Sequence, residues 1–447
     1  MKKLKKIPPA QQIALGFFLL IMAGSLLLTL PFFSREGVFT PFIDALFTVT
    51  SAVCVTGLTT LNTALHWNSF GHFFIMLFIE MGGLGFMMFP IIFYVLAKKK
   101  INLSTRILLR ESLNVYEISG VMRLALYIIK FSIFIQLAGA IALAFTFVPK
   151  FGLAKGLWYG LFHAVSSFCN AGFDLLGNSL IDYQQDTAII LTMSVLIIAG
   201  GLGFFIWRDL MNYRQNKRLT LHTKIALVMT GVLLIGGTVL LFFTENNGKT
   251  LVPNGNFFQR LANTFFMSVT PRTAGYASID YGQMSNAGLM VTMLLMYIGG
   301  TSGSTAGGLK TTTFAVLLLQ IKSVFQGRSR TEIAGRTIRS ATVLRAQVLF
   351  FLSLTLCMVS TIILSITEKI PAGYGIEYVA FEVFSALGTT GLSMGLTPHL
   401  TIFGKLIIIS LMYIGRVGIM TVLLSLLIRS TKQEVQLKYP EENILVG

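Results

Sequence analysis

Four short segments of this chain end in a glycine and share the same surroundings. They are SAVCVTGL at 51–58, SSFCNAGF at 166–173, VTPRTAGY at 269–276 and SALGTTGL at 385–392. Their glycines lie roughly 100 to 120 residues apart. A phenylalanine stands ten positions before each glycine, at Phe47, Phe162, Phe265 and Phe381. Because a chance similarity of short loops would not extend to their flanks, we interpret the chain as one unit that occurs four times.

Long apolar stretches flank each glycine segment and predict a membrane protein. Hydrophobic residues make up 54% of the chain and charged residues 12%, whereas a soluble domain carries about 25% charged residues. A stretch of about 20 apolar residues crosses the roughly 30 Å of hydrocarbon in a bilayer. We predict membrane spans near 13–31, 70–97, 124–148, 187–207, 223–243, 287–299, 347–366 and 403–428. The shorter segment with the glycine, inside each pair of spans, is predicted to be a re-entrant pore helix with a returning loop.

The predicted fold is an all-α integral membrane protein with four tandem helix–pore loop–helix repeats around a central pore. It has eight transmembrane helices and four re-entrant pore helices. The repeats are predicted at 1–100 with filter loop 53–58, 101–215 with filter loop 168–173, 216–335 with filter loop 271–276, and 336–447 with filter loop 387–392. The second helix of the third repeat is predicted to be interrupted at 297–313, and the fourth repeat ends in a cytoplasmic C-terminal tail.

The basic residues predict the orientation in the membrane. Most of the 35 lysines and arginines lie at the two ends of the chain and between successive repeats, and cytoplasmic segments carry such an excess. Both termini are therefore predicted to be cytoplasmic, with the glycine loops open to the outside. The net charge of +17 is spread over these segments, so we expect no nucleic-acid partner. The basic and then apolar N-terminus is interpreted as the first helix and not as a cleaved signal peptide.

Returning loops at membrane depth restrict the chemistry of this chain. Irregular backbone is tolerated there only when it is buried in protein or lines a water-filled cavity, and rings of backbone carbonyls can replace the hydration shell of a potassium ion. Glycine tolerates the positive φ that turns carbonyls inward, and the C-terminal ends of the half-helices favour a cation. The spans contain few carboxylates, chiefly Glu80 and Glu382. Because no catalytic constellation or nucleotide-binding motif is recognisable, we predict that the chain is not an enzyme and has no covalent cofactor.

The fourfold plan and several local motifs resemble the Trk/Ktr/HKT superfamily of potassium transporters. The motifs are VTGL, NAGF, PRTAGY and TTGL at the four loops, HTKI at 222–225 and YIGRVG at 413–418. The resemblance covers essentially the whole chain and is strongest to the membrane subunit of bacterial Ktr systems. It implies potassium uptake across the bacterial plasma membrane, with K⁺ as the substrate ion at the filter carbonyls. The implied filter residues are Val55, Thr56, Gly57, Asn170, Ala171, Gly172, Thr273, Ala274, Gly275, Thr389, Thr390 and Gly391.

The glycine of the first filter loop predicts a preference for potassium. Members of the superfamily with serine in place of this glycine tend toward sodium, and this chain has Gly57 there. We therefore expect potassium to be selected over sodium, while stimulation of transport by sodium stays open. Secondary cation symport with alternating access is the alternative. Such symporters have broken helices and midplane carboxylates, and the sequence predicts a broken helix in the third repeat only.

The predicted interruption of the third repeat is the run YIGGTSGSTAGGLKTTT at 297–313. The resemblance makes this run an intramembrane loop that obstructs the pore, and the alternative is close helix packing through small residues. A phosphate-binding loop is excluded because Leu309 separates Gly308 from Lys310. The predicted gate residues of the run are Gly299, Gly300, Thr301, Ser302, Gly303, Ser304, Thr305, Ala306, Gly307 and Gly308.

Arg416 is the remaining predicted gate residue. A lone cation in an apolar span usually faces the interior of the bundle or a water-filled cavity, so Arg416 is predicted to form an electrostatic barrier below the filter. The alternative is a structural pairing with backbone carbonyls or helix ends. The glycine clusters at 81–86, 199–204 and 414–418 are interpreted as helix-packing positions, and Lys405 as a snorkelling side chain.

Regulation is expected to come from a partner, because the sequence shows no soluble regulatory domain. The resemblance implies a homodimer in the lipid bilayer, in which each protomer has its own pore. It also implies a cytosolic ring of RCK-type nucleotide-binding subunits that contacts the inner loops and the C-terminal tail. A nucleotide is therefore expected on the regulatory partner only.

Overall fold

The structure of this chain is a computed structural model that describes residues 8–85, 88, 103–112, 120–245, 251–252, 255–427 and 442. The predicted second span lies partly outside the described residues, because most of 86–97 is not among them. Some of the basic residues that predict the orientation also lie outside them, namely Lys2, Lys3, Lys5, Lys6, Lys98, Lys99, Lys100, Arg429, Lys432 and Lys438.

Helices form nearly all of the regular structure in the described residues. In chain order they are α1 (Pro9–Leu28), α2 (Phe42–Val53), α3 (Thr63–His66), α4 (Ser69–Leu84), α5 (Leu103–Ser112), α6 (Val121–Phe151), α7 (Leu153–Phe168), α8 (Thr187–Gly201), α9 (Phe204–Met211), α10 (Tyr213–Asn216), α11 (Leu221–Glu245), α12 (Phe257–Val269), α13 (Asn286–Tyr297), α14 (Thr311–Phe325), α15 (Ser340–Thr367), α16 (Ile376–Gly388), α17 (Ile402–Val417) and α18 (Ile419–Leu427). Short 3₁₀ helices lie at Pro31–Phe33, Ile181–Tyr183, Tyr281–Gln283 and Thr397–His399. Two short antiparallel strands, β1 (Glu332–Ile333) and β2 (Arg336–Thr337), pair Glu332 with Thr337 and Ile333 with Arg336.

Four long helices begin the four repeats. α1, α6, α11 and α15 contain 20, 31, 25 and 28 residues and are long and apolar enough to cross a bilayer. They agree with the predicted first span of each repeat. Large apolar side chains on them are exposed, including Phe18, Phe134, Phe243 and Phe351, as expected for surfaces that contact lipid.

A short and largely buried helix follows each long one. These pore helices are α2, α7, α12 and α16, with 12, 16, 13 and 13 residues, which is too short to span a bilayer. Phe47, Phe162 and Phe381 are fully buried in three of them, in agreement with their shared sequence position. In the third repeat the fully buried residue is Phe266 and not the predicted Phe265. The predicted alignment of that flank is therefore wrong by one residue.

The one-residue shift from Phe265 to Phe266 is explained by a shorter distance to the glycine in the third repeat. Each pore helix carries a serine or threonine four positions after its buried phenylalanine, and this residue is Thr270 in the third repeat and Ser51 in the first. Thr270 lies five positions before Gly275, whereas Ser51 lies six positions before Gly57. The third repeat thus has one residue fewer between this hydroxyl-bearing residue and its glycine.

The second helix is interrupted in the second, third and fourth repeats, and in the first repeat the described helix ends before Gly85, whereas the sequence predicts an interruption in the third repeat only. α8 and α9 meet at a bend of 93° beside Gly203, α17 and α18 meet at Gly418, and α4 ends before Gly85. These three glycines have φ of 85°, 95° and 91°, a backbone conformation that other residues adopt only with strain. The third repeat is interrupted by residues 298–310 between α13 and α14. The glycine clusters therefore end helices, which the sequence interpretation missed.

The glycine clusters at 81–86, 199–204 and 414–418 also pack helices closely together, as the sequence predicts. One glycine of each cluster lies against a carbonyl group at the C-terminal end of the pore helix in its own repeat, where a Cβ would overlap that group. The pairs are Gly82 with Val53, Gly200 with Phe168, and Gly415 with Leu387. The missing side chain lets the second helix approach the pore helix closely.

The first and fourth repeats pack together and close the bundle. α2 packs against α17, and α1 packs against α18. Lys405 Nζ lies 2.7 Å from Asp44 Oδ1, and the Tyr413 hydroxyl donates to Ala14 O at 2.6 Å. Because both charged side chains are only 13% exposed, Lys405 forms an ion pair between repeats, and its predicted snorkelling role is wrong.

Candidate ion pathway

The four glycine loops have the same backbone conformation. In each loop both the glycine and the residue two positions before it have positive φ. The four preceding residues are Val55, Asn170, Thr273 and Thr389, with φ of 57°, 60°, 72° and 50°. Positive φ is uncommon for non-glycine residues and strained for β-branched ones. Each loop therefore has two strained positions, and glycine relieves one of them.

Backbone N–H groups of the first and fourth loops point back to the pore helices. Thr56 N–H donates to Ser51 O at 2.8 Å, and Gly57 N–H donates to Ser51 Oγ at 3.0 Å. Ser385 accepts from the two equivalent N–H groups of the fourth loop at 2.7 Å and 3.0 Å. Because these N–H groups are satisfied by the pore helix, the loop carbonyls are left to face away from it.

The second and third loops use the equivalent hydroxyl in another way. Ser166 Oγ donates to Phe173 O at 2.9 Å, and Thr270 Oγ1 donates to Tyr276 O at 2.7 Å. In both loops the hydroxyl thus binds the residue directly after the glycine. The sequence interpretation missed these hydroxyls, although the serine or threonine five or six positions before every glycine indicates them.

The four loops meet at their glycines in a closed ring. Gly57 lies against Gly172, Gly172 against Gly275, Gly275 against Gly391, and Gly391 against Gly57. A Cβ on any of them would lie 3.0 or 3.1 Å from the Cα of the next glycine, which leaves no room for a side chain. The order of the ring is the order of the chain. The structure thus brings the four predicted filter glycines together around one centre.

The same ring contains the carbonyl group that precedes each glycine. These groups belong to Thr56, Ala171, Ala274 and Thr390, and each oxygen lies beside the glycine of a neighbouring loop. All four residues are fully buried, and within the described residues none of the four oxygens accepts a hydrogen bond. Because buried carbonyls are nearly always paired, a ring of unpaired ones has the chemistry of a cation site.

Two buried polar side chains on pore helices hold the chain where it leaves the ring. Glu382 accepts hydrogen bonds from Ser393 Oγ at 2.7 Å and from Thr397 Oγ1. His163 Nε2 accepts one from Leu175 N–H at 3.3 Å. Glu382 therefore supports the segment that follows the fourth loop and is not part of the carbonyl ring.

Residues 298–310, named here the interrupting segment, pack against the ends of two pore helices. Thr305 Oγ1 donates to Phe168 O, at the end of α7, at 3.0 Å. Gly308 lies against Gly388, at the end of α16. Because the filter loops begin where the pore helices end, the interrupting segment lies directly next to the loops.

Hydrogen bonds close the interrupting segment at its base. Gly299 N–H donates to Leu309 O at 2.8 Å, and Thr311 N–H donates to Gly300 O at 2.9 Å. Thr311 Oγ1 donates in addition to Gly299 O at 2.6 Å. A run rich in glycine, serine and threonine thus has a defined structure, in which Thr311 joins the two ends.

Two cations pair with carbonyl groups of the interrupting segment. Arg416 donates to the carbonyl oxygens of Thr305 in the segment and of Gly82 near the end of α4. Lys310 Nζ donates to Ala306 O at 2.6 Å. Arg416 therefore pairs with backbone carbonyls, which is the alternative role that the sequence analysis gave for it. These hydrogen bonds join the first, third and fourth repeats.

The other carboxylate of the spans, Glu80, lies between the first and second repeats. Gln136 Nε2 donates to Glu80 Oε2 at 2.8 Å, and the Cys169 thiol donates to the same oxygen at 3.2 Å. Cys169 and Cys54, which occupy the same position in two loops, are both fully buried. Glu80 is thus engaged by neighbouring side chains.

Long apolar helices, half-length helices and a ring of buried carbonyls define a multi-pass membrane transport protein. The chain belongs to the TrkH family of cation transport proteins, whose family model matches residues 13–436. This membership confirms the resemblance found in the sequence, and it confirms that the chain is an ion transporter and not an enzyme.

Individual relatives cover nearly the whole chain. The chain is 64% identical over 443 residues to the potassium/sodium uptake protein NtpJ of Enterococcus hirae, which spans 99% of this chain and 98% of that protein. It is 39% identical to the Ktr system potassium uptake protein B of Bacillus subtilis, with 99% and 97% covered. The crystal structure of the potassium transporter TrkH from Vibrio parahaemolyticus matches with a TM-score of 0.74 at 18% identity, over 95% of this chain and 86% of that chain. The structural match confirms the predicted all-α membrane fold.

Proposed function

We propose that this chain takes up potassium across the bacterial plasma membrane through the ring of carbonyls. K⁺ is the substrate ion, held by backbone carbonyls of residues 55–57, 170–172, 273–275 and 389–391. The observation that carries the proposal is the closed ring of buried carbonyls without protein donors in the described residues. Carbonyl dipoles replace the water around K⁺, and each pore helix adds about half a negative charge at its C-terminal end.

The proposal includes a preference for potassium over sodium. Gly57 supports this preference, because a serine at position 57 would bring a Cβ to 2.6 Å from Ala171 O and change the shape of the ring. The Bacillus relative is named a potassium uptake protein, and the Enterococcus relative is named a potassium/sodium uptake protein. The second name supports the further proposal that sodium stimulates or accompanies potassium uptake.

The interrupting segment and Arg416 form the gate in this proposal. The segment contacts the ends of two pore helices and therefore lies where it can obstruct the path to the ring. Arg416 and Lys310 add positive charge beside that path, which repels a cation at short range. Opening requires the segment to give up the hydrogen bond that Arg416 donates to Thr305 O.

Control by a partner is also part of the proposal. We place both termini in the cytoplasm and expect a homodimer that binds a cytosolic ring of RCK-type subunits, with the nucleotide on that ring only. The names of the relatives as Ktr system uptake proteins support a further component. The hairpin of β1 and β2 offers a surface for it, since the basic residues around the hairpin are exposed. They are Arg328, Arg330, Arg336 and Arg339.

Alternating-access cation symport is the second candidate function. The interruption of the second helices in the second, third and fourth repeats favours it, because broken helices are typical of such transporters. Midplane carboxylates are also typical of them. Glu80 and Glu382 are engaged by neighbouring side chains, so a continuous path through the ring is the better explanation.

The test is uptake of Rb⁺, which substitutes for K⁺, by a potassium-uptake-deficient bacterium that expresses the chain with a cognate regulatory subunit. We expect Gly275→Ala and Gly391→Ala to abolish uptake or its preference for potassium. Gly236→Ala is the matched control, because Gly236 lies in α11 with open space at its Cβ. Unchanged uptake in both ring variants at equal protein levels would refute the ring as the ion path. Uptake into proteoliposomes that stops when a sodium or proton gradient is collapsed at constant membrane potential would favour symport.

A further inference from the structure

Arg272 is a buried cation in the third filter loop, and nothing in the proposed pathway uses its side chain. It is only 7% exposed. Its Nη2 donates to Thr311 Oγ1 at 3.3 Å and to Thr230 Oγ1 at 3.4 Å. Within the described residues no carboxylate forms an ion pair with it.

Such a cation is costly if its role is packing alone. A buried charge loses several kcal/mol of hydration, and an apolar residue of similar size is often neutral or stabilising in its place. The C-terminal end of α12, directly before the loop, offsets part of this cost through its partial negative charge. The position therefore tolerates an arginine, but packing does not require one.

The Thr311 hydroxyl connects Arg272 to the interrupting segment. Thr311 Oγ1 accepts from Arg272 and donates to Gly299 O at 2.6 Å, as one hydroxyl can do both. Gly299 is the second residue of the interrupting segment, and Thr311 N–H holds Gly300 next to it. A chain of two hydrogen bonds thus runs from the third filter loop to the base of the segment.

The backbone of the same loop belongs to the ring. Pro271 O, directly before Arg272, accepts a hydrogen bond from Thr390 Oγ1 of the fourth loop at 3.2 Å. The main chain of the third loop thus contacts the fourth loop at Pro271, and the Arg272 side chain contacts Thr311, directly after the interrupting segment.

The guanidinium group has space on one side. A cavity of about 10 Å³, room for one water molecule, lies between Arg272, Thr230 and Gly300. A space of this size admits a water molecule but not a guanidinium group, so Arg272 leaves Thr311 only when its neighbours shift as well.

We infer that Arg272 is a positioning residue that ties the third filter loop to the interrupting segment through Thr311 and holds the segment in its obstructing position. The inference rests on the proposed gate function of the segment. Release of the segment breaks the contact between Arg272 and Thr311, so the gate and the filter loop respond to each other.

The experiment measures Rb⁺ influx into liposomes that contain the purified full chain without a regulatory partner. Arg272→Met and Thr311→Val each remove the contact, and we expect each to raise influx about fivefold or more. The double variant rises no further than Thr311→Val alone, since Thr311→Val already removes the contact with Arg272 together with the hydrogen bond to Gly299 O. Thr311→Ser, which keeps the hydroxyl, and Thr230→Val, which leaves the contact with Thr311, stay within about twofold of wild type.

Two further readouts separate positioning from packing. The preference for Rb⁺ over Na⁺ stays at the wild-type value in all variants, and the thermal stability of Arg272→Met stays equal or rises, because methionine packs without a buried charge. If Arg272→Met does not fold, Arg272→Gln replaces it, because the shorter neutral side chain also gives up the contact with Thr311 while Thr311 keeps its hydrogen bond to Gly299 O.

The inference is wrong if folded Thr311→Val and Arg272→Met conduct as wild type does, if their effects add, or if they change the ion preference at unchanged influx. Failure of the proposed function has a different signature. In that case Gly275→Ala leaves influx at the wild-type level, whether residue 272 is arginine or methionine.

Discussion

The glycine ring and the interrupting segment are both irregular backbone inside a helical membrane bundle, but they differ in what binds their carbonyl groups. In the ring, the oxygens of Thr56 and its three counterparts face neighbouring loops and accept no hydrogen bond within the described residues. In the segment, Thr305 O and Ala306 O accept from Arg416 and Lys310. Buried carbonyls are therefore available to an ion in one region and occupied by side-chain cations in the other.

The segment also completes the broken helix of the second repeat. Thr301 N–H donates to Gly201 O at 3.0 Å, and Phe204 N–H donates to Gly303 O at 2.9 Å. The break between α8 and α9 would otherwise leave this carbonyl and this N–H group without partners. The segment is thus held by its neighbours on several sides, so an opened state has to replace these hydrogen bonds.

The largest effect is expected at the glycine that the first loop contributes to the ring. In Gly57→Ser the new Cβ would lie 2.6 Å from Ala171 O, at a residue with φ of 97°. A side chain in that conformation is strained by about 1 to 2 kcal/mol, so we expect the ratio of K⁺ to Na⁺ uptake to fall about tenfold or more. The measurement is competitive Rb⁺ and Na⁺ uptake, and Gly231→Ala, with open space at its Cβ, is the control. A fully retained ratio would show that the first loop does not set the preference.

A smaller effect is expected when the segment loses its principal cation. Arg416→Gln removes the charge and weakens hydrogen bonds to the carbonyls of Thr305 and Gly82. Hydrogen bonds to charged groups contribute about 1.5 to 3 kcal/mol, so influx without a regulatory partner should rise several-fold while the ion preference is kept. Arg345→Gln, at an exposed arginine of α15, should change neither. Unchanged influx in Arg416→Gln would remove Arg416 from the gate.

Lys310 should matter less than Arg416, because its hydrogen bonds stay within the segment. Lys310→Met removes donation to Ala306 O at 2.6 Å and to Gly307 O at 3.4 Å. We expect a rise in influx of about twofold to threefold, with Lys322→Met, an exposed lysine of α14, as the matched control. A larger rise in influx than in Arg416→Gln would show that Lys310 contributes more than Arg416 to holding the segment.

The smallest effect is expected at the ion pair between the first and fourth repeats, far from both regions. Lys405→Met leaves Asp44 without its cation and should lower the thermal unfolding temperature in detergent by a few degrees. The ratio of K⁺ to Na⁺ uptake should not change. Asp44→Asn combined with Lys405→Met should recover part of the loss, because neither charge is then left unpaired. A change in ion preference would show that closure of the bundle shapes the ring.

Much of the ring could be predicted from the sequence, because its requirements are local. A glycine is needed where backbones meet, and it recurs with its flanks in all four repeats, so Gly57, Gly172, Gly275 and Gly391 are found by alignment alone. The interruption of the third repeat is also local, since its small polar residues do not sustain a helix.

The remaining features depend on contacts that the sequence does not reveal. The breaks at Gly85, Gly203 and Gly418 look like ordinary packing glycines in the sequence, since a glycine that ends a helix and one that packs share the same pattern. Asp44, the partner of Lys405, lies in another repeat, and Thr311, the partner of Arg272, lies 39 residues away in the same repeat, so the spacing along the chain gives no sign of either contact.

The closed order of the ring has a consequence for what one polypeptide can build. A pore made of four identical subunits repeats every residue four times, so an arginine behind one loop would stand behind all of them. Here the four quarters are joined covalently, and only the third has one residue fewer between its hydroxyl-bearing residue and its glycine, with Arg272 in that stretch. A single chain can thus place one charge, and one mechanical connection, on one side of a path that is otherwise built with fourfold regularity.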